Sequence, residues 1–300
     1  MLRNLMLVLA YDGAEFHGWQ FQPEMRTVQE CLEQALRRTL RHRVNVLGCS
    51  RTDSGVHAAG YVASVLTPTE MRDIAILRSA GSRLPKDMTL LHVQEVPLTF
   101  HATRSSVSKL YRYRIHNAVA RPCESMNQSK VYHVWNLLDI DRMRAGARHW
   151  VGTHDFTSFA SAGNDRQHNV RTIHRIEIYR DAEEVRIDIE GDGFLYKQVR
   201  NMVGTLCEFG RGHWSPDSAA DILAARDRAR AGPTAPARGL CLQWVRYDLA
   251  NLPDPTPDML EKARAVEAPA GERRSSVDAQ PMSSAPGADV IDMDAFEPPA

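Results

Sequence analysis

Val44-Asn45-Val46-Leu47-Gly48-Cys49-Ser50-Arg51-Thr52-Asp53-Ser54-Gly55-Val56-His57-Ala58 begins as a short apolar segment and becomes a dense polar one. A second apolar run, Tyr61-Val62-Ala63-Ser64-Val65-Leu66, follows almost at once. Both apolar runs read as strands, which puts the residues from Gly48 to Ala58 in their connection. That connection gathers a cation, a carboxylate, hydroxyls, a thiol and an imidazole. Asp-Ser-Gly is also ordinary turn chemistry, because glycine tolerates positive φ and aspartate bonds its own backbone. On spacing alone a surface hairpin turn is the simpler reading of Asp53, and the chain around it has to decide.

Toward the N-terminus, residues 5–10 form a continuous apolar strand with both faces covered, and Tyr11-Asp12-Gly13 turns out of it. Thr27 and Glu30 stand in capping-box spacing. Val28, Cys31, Leu32, Ala35, Leu36 and Thr39 then recur at three and four residues as one apolar helical face. Arg37, Arg38 and Arg41 fall on the other side near the helix end, where cations suit the dipole. Beyond the central pair of strands, a helix is predicted over 69–84 and a strand over 88–96. The order is β-α-β-β-α-β, the ferredoxin-like pattern.

The following residues nearly repeat it. Strands are predicted over 109–116, 172–179, 185–190 and 239–247, with a tight turn at 181–184. Helices are predicted over 141–151, around Val199, Met202, Val203 and Leu206, and over 218–228, the last being extra to the pattern. An irregular insertion covers about 121–136. The expected fold is α+β: two pseudo-symmetric ferredoxin-like halves, residues 1–100 and 101–250, forming a mainly antiparallel sheet. Its helices lie on one side, and a central cleft opens where the halves meet.

The formal charge of zero hides an asymmetry. Residues 251–300 carry ten Asp or Glu against four Lys or Arg, which leaves 27 acids and 33 bases in the rest. A mildly basic body thus carries an acidic tail. The tail also holds eight of the sixteen prolines and one aromatic, Phe296, too little apolar surface to fold alone. It reads as a disordered, inert solubility segment. Five cysteines without a C-x-x-C pair suggest neither a disulfide framework nor a zinc site. The N-terminus makes a poor signal peptide and no apolar run reaches membrane-spanning length, so a cytoplasmic protein without membrane contact is expected.

Basic and aromatic residues interleave along Arg104, Lys109, Tyr111, Arg112, Tyr113 and Arg114. In a strand, Tyr111 and Tyr113 share one face and Arg112 and Arg114 the other. Aromatics on a sheet face with cations nearby suit unstacked RNA bases, although core tyrosines under solvated arginines give the same pattern. Gly191-Asp192-Gly193-Phe194-Leu195-Tyr196 leads into a helix start bearing Lys197 and Arg200. Such a start favours an anion, either a phosphate or a buried carboxylate. His149, His154, His168 and His174 lack a metal-binding pattern, and no nucleotide-binding or nucleophile-elbow motif is present. Ser50 or Ser54 beside His57 does not make a triad by sequence proximity.

Taken in order, several segments resemble one family. Tyr11-Asp12-Gly13, Phe16-His17-Gly18-Trp19-Gln20 and Thr27-Val28-Gln29 are similar to the opening of the TruA-type tRNA pseudouridine synthases. Arg51 to Ala58 resembles their active-site motif, with Ser54 where alanine is more usual. Phe100-His101-Ala102, Lys109 to Tyr113, His154-Asp155-Phe156 with Ser158-Phe159, and Gly193 through Gly204 match in the same order. The resemblance covers residues 5 to about 248 and leaves out the tail.

It implies a cofactor-free and metal-free enzyme that converts uridine to pseudouridine in the tRNA anticodon stem-loop, at positions 38 to 40, and acts as a homodimer sharing one tRNA. Carried over residue by residue, Asp53 is the essential carboxylate and Tyr111 packs on the target uracil. Arg200 partners the carboxylate, Arg51 helps extrude the base, and Leu195 contacts the substrate. Arg37, Arg38, Arg41, Arg104 and Lys197 are candidates for the RNA backbone. Ser54 adds a hydroxyl and leaves these roles in place.

Two other classes share parts of this pattern. A silent RNA-binding module would keep Tyr111 and the basic surface, but has no use for an Asp53–Arg200 pair. A metal-assisted nuclease would work through Asp53 and Asp192 and would stop with chelator.

Overall fold

The structure, a computed structural model, describes residues 2–123, 128–163 and 168–252. From residue 253 onward the expected tail lies outside the described residues. The first 100 residues give β1 (Arg3–Tyr11), α1 (Val28–Leu40), β2 (Val46–Gly48), β3 (His57–Thr67), α2 (Asp73–Gly81) and β4 (Met88–Val96). There follow β5 (Ser106–His116), β6 (Tyr132–His133), α3 (Ile140–Ala147), β7 (Gly152–Asp155), β8 (Val170–Asp181) and β9 (Glu184–Gly191). The chain closes with α4 (Gln198–Gly210), α5 (Ser218–Ala225) and β10 (Leu240–Tyr247).

Among the described residues all ten strands join one sheet, in the order β4-β1-β3-β10-β5-β9-β8-β7, with β2 also beside β3 and β6 beside β5. Within the first set the order β4-β1-β3-β2 is the ferredoxin-like one. Within the second, β10-β5-β9-β8 repeats it position for position. Pairing is antiparallel except at β5–β6 and at the seam between the two sets, where β10 runs parallel to β3 through His57 and Ala58.

The seam explains why the polar connection sits where it does. One edge of β3 is shared: β2 pairs with Ala63 to Val65, while β10 takes His57 and Ala58. The chain from Cys49 to Val56 leaves the sheet between these two neighbours and stands over the junction. Gly60 lies against β10 so closely that a Cβ there would overlap the Gln243 carbonyl oxygen. The small residues Ala58-Ala59-Gly60 are what let the two sets of strands touch.

Local structure follows the side chains. Thr27 caps α1 by accepting from the Glu30 N–H, while the Glu30 carboxylate accepts from Gln34 on the next turn rather than closing the reciprocal half of the box. On β5 the expected division of faces is present. Tyr111, Tyr113 and Ile115 are buried beside Ile187 and Ile189 of β9. On the opposite face Arg112 makes a bidentate pair with Asp188 at 2.8 Å and Arg114 pairs with Glu184 at 2.6 Å. A single apolar core runs from Leu5, Leu7, Leu9 and Tyr61 across the seam to Tyr113, Ile189 and Phe209. Each such large side chain contributes roughly 2 kcal/mol on burial.

Candidate active site

The connection between β2 and β3 is held through five of its backbone carbonyls. Thr103 Oγ1 donates to Gly48 O at 2.6 Å and Lys109 Nζ to Cys49 O at 2.8 Å. Tyr61 Oη donates to Ser50 O, and the Trp19 N–H reaches Thr52 O at 3.1 Å. Val56 N–H closes the turn on Asp53 O at 3.2 Å. Backbone groups pinned in this way fix where the intervening side chains project. The Tyr11–Trp19 segment, read above only as part of a motif, is the strap over this loop: Tyr11 Oη meets Thr52 Oγ1 at 2.8 Å, and Phe16 O accepts from Gly55 N.

Asp53 is placed against the second set of strands. Arg200 Nη1 donates to Asp53 Oδ2 at 2.6 Å, with side-chain exposures of 14% for Arg200 and 17% for Asp53. The guanidinium is itself oriented, because its Nε donates to Ala235 O at 2.8 Å. A pair so largely removed from water interacts more strongly than a surface ion pair. Arg200 of the Gly191–Arg200 segment thus meets a carboxylate, one of the two kinds of anion that the segment suggested. Asp53 Oδ1 has no hydrogen bond among the described residues.

The segment that orients Arg200 is hooked onto α4. A Cβ at Gly204 would overlap the Pro233 carbonyl oxygen, and Gly232 N–H donates to Thr205 Oγ1 at 2.9 Å. Asn201 Oδ1 accepts from Thr234 Oγ1 at 2.6 Å and Arg228 Nη2 at 3.0 Å. Gly204, one helical turn after Arg200, is therefore a packing requirement of the Arg200 site.

Tyr111 lies on the floor of the same cleft, 5% exposed, with Oη 3.2 Å from Ser50 Oγ and its ring edge-on to Phe194 at 5.3 Å. Burial pushes its phenol well above the ordinary value near 10, so it is a neutral hydroxyl on an apolar ring. Burial likewise pushes the Cys49 thiol up to about 11, which removes it as a nucleophile at neutral pH.

These residues line a cleft of about 910 Å³. Arg51, Arg104, Lys109, Arg171, Lys197 and Arg200 contribute six cations to its lining against two carboxylates, Asp53 and Asp192. Leu195 lines it as well. Arg37, Arg38 and Arg41 do not; they are exposed on α1 and at its C-terminal cap. The sequence marks Lys109 only as one of the cations interleaved with Tyr111 and Tyr113, an odd-numbered neighbour of Tyr111 on β5, and does not mark Arg171 at all.

A serine triad is absent from this arrangement. Ser50 faces Tyr111, Ser54 donates to Phe16 O, and His57 bonds backbone groups of Gly13 and Arg238. Among the described residues no three His, Cys, Asp or Glu side chains are grouped to hold a metal ion, and no helix is long and apolar enough to cross a membrane.

A paired carboxylate beside a buried aromatic, in a cation-lined cleft at the seam of two ferredoxin-like strand sets, defines an enzyme site shaped for a polyanion. A family model described as tRNA pseudouridine synthase matches residues 7–104 and 147–248, and the chain belongs to this family. It is 40% identical over 246 residues to the tRNA pseudouridine synthase A of Acetivibrio thermocellus, covering 82% of this chain and all of that protein. It is 38% identical over 246 residues to tRNA pseudouridine synthase A 2 of Clostridium perfringens, with the same coverage. Among solved structures, an archaeal box H/ACA sRNP Nop10-Cbf5 complex aligns over 80% of this chain and 57% of that one, with 12% identity and a TM-score of only 0.31.

Proposed function

We propose that this chain isomerises uridine to pseudouridine in the anticodon stem-loop of tRNAs, at positions 38, 39 and 40, with Asp53 as its reacting carboxylate. The observation that carries the reading is the Asp53–Arg200 pair in the cleft that Tyr111 floors. A binding module has no use for a carboxylate facing a polyanion, since it repels phosphate. A carboxylate is needed where a glycosidic bond is to be broken.

The reaction breaks N1–C1′, turns the freed uracil and joins C5 to C1′; the C5 proton is lost and N1 gains one. Asp53 can assist by attack at C1′ or at C6, or by removing the 2′ proton, and each route needs it ionised. Arg200 donates to Oδ2 and leaves Oδ1 for the substrate. The target base must leave its stack, at a cost of a few kcal/mol. Stacking on Tyr111 offsets part of that, Arg51 fills the space it vacates, and Leu195 closes the pocket wall. Arg104 and Lys197 meet the RNA backbone at the cleft, and Arg37, Arg38 and Arg41 steer it from outside. No cofactor or metal enters this scheme.

On this reading residues 1–100 and 101–250 are the two halves that close on the base, and the chain works in the cytoplasm as a homodimer sharing one tRNA. The repeated strand order supports the halves, and the exposed Val119, Trp135 and Leu137 offer apolar surface for a second copy. The test is release of tritium from tRNA labelled at C5 of uridine, in EDTA. Isomerisation releases it; binding alone or metal-dependent strand cleavage does not.

A further inference from the structure

His57, four residues after Asp53, is a buried imidazole, 5% exposed, to which no role has been assigned. Gly13 N–H donates to its Nδ1 at 3.0 Å, and its Nε2 lies 3.2 Å from Arg238 O. An N–H donor on Nδ1 requires a bare nitrogen there, so the proton sits on Nε2 and is donated to the Arg238 carbonyl. The ring is thus a neutral bridge between the strap over the Asp53 loop and the second set of strands.

The far end of that bridge is informative. Arg238 belongs to the stretch 235–238, whose Ala235 carbonyl orients Arg200 and whose Pro236 carbonyl accepts from Tyr113 Oη at 2.7 Å. One short stretch therefore grips Arg200 at its start and His57 at its end. The turn that carries Asp53 spans the gap, closed by Val56 N–H on Asp53 O immediately before His57. The Asp53–Arg200 contact at 2.6 Å lies between these two grips.

We propose that His57 is a positioning residue for the isomerisation: its neutral imidazole ties the Gly13 strap and the end of the Asp53 turn to the 235–238 stretch, and so sets Asp53 opposite Arg200. This rests on the functional reading above. The groups facing the ring explain when the tie holds. Asp12 Oδ1 is 3.1 Å from Nδ1, and Lys130 Nζ stands behind it, 3.3 Å from Asp12 Oδ2. On the β10 side the ladder partner is Cys241, whose thiol is pushed up to about 12 by burial and stays uncharged. Burial holds His57 below its ordinary value near 6.5, with Asp12 opposing. Neutral pH keeps the Gly13 bond. Protonation of Nδ1 exchanges Gly13 for Asp12 and slackens the strap, and this sets in as pH falls below the ordinary histidine range.

The experiment compares the full wild-type chain with His57→Leu and His57→Gln, measuring tRNA affinity and single-turnover tritium release from about pH 5.5 to 8. In His57→Leu, affinity stays within about twofold while the rate constant falls about a hundredfold, the scale of a 1 Å misplacement. His57→Gln, whose amide restores the donor to Arg238 O, recovers roughly tenfold of that loss. It also lacks a decline in rate at low pH that the wild type shows. Should His57→Leu fail to fold, the pH comparison of wild type with His57→Gln decides by itself. A His57→Leu rate within threefold of wild type, or identical pH profiles for wild type and His57→Gln, overturns the inference alone. A wild-type chain that releases no tritium overturns the functional reading, and this inference with it.

Discussion

Asp53 and Arg200 are 147 residues apart in the chain and 2.6 Å apart in the fold. The contact crosses the seam between the two sets of strands, and each partner is held by its own backbone scaffold: the loop between β2 and β3 for Asp53, the Ala235 carbonyl for Arg200. The pair is therefore a property of how the two sets of strands meet.

Arg200→Lys tests that scaffold. Lysine keeps the charge but has no second nitrogen to hold Ala235 O while reaching Asp53. The expected outcome is a fall in kcat of about a hundredfold with tRNA affinity within a few-fold, read by single-turnover tritium release beside a filter-binding titration. An unchanged kcat would mean that orientation by Ala235 does not matter.

Tyr111→Phe and Tyr111→Ala separate the ring from the hydroxyl. Phenylalanine loses only the 3.2 Å contact with Ser50 Oγ, worth about 1 kcal/mol, and should retain activity within roughly tenfold. Alanine removes the surface on which a flipped base stacks, about 1–3 kcal/mol of interaction, and should lower the rate by about 5- to 150-fold. Equal losses in both variants would assign the role to the hydroxyl.

Gly204→Ala places a methyl group into the Pro233 carbonyl. Strain of about 1–3 kcal/mol is expected, seen as a lowered midpoint in denaturant. Because the same loop carries Ala235, activity at temperatures where the variant remains folded should fall as well. A variant with normal stability and rate would show that this loop yields freely.

Lys197 lines the cleft on a residue with left-handed backbone, φ 59°, at the start of α4. If it meets a phosphate, Lys197→Ala should weaken tRNA binding and lower the slope of log affinity against log salt by about 1. Arg38→Ala, on the exposed face of α1 outside the cleft, should change affinity less. A reversed order would move the RNA track from the cleft to α1.

Much of this arrangement was legible in the chain because periodicity reports burial. The α1 face, the alternation of β5 and the repeated β-α-β-β-α-β order all follow from side chains that face a core. Boundaries were less legible. The helix predicted from residue 69 begins at Asp73, because Thr67 and Thr69 accept from the N–H groups of Thr69 and Met71 and hold those residues in turns. The start of β3 was hidden for another reason: Ala58-Ala59-Gly60 carries no strand signature, being small so that β10 can approach. Arg171 in the cleft and the Ala235 grip on Arg200 depend on long-range contact that no local pattern encodes. Asp53 itself looked like a turn residue and is one; its neighbour across the seam makes it more.

Asp53→Asn removes the charge and leaves the shape. Incubated with tRNA labelled with tritium at C5 of uridine, the variant should bind within a few-fold of wild type and release no tritium above background over many wild-type half-lives. Release at an undiminished rate would show that the carboxylate facing Arg200 takes no part in the chemistry.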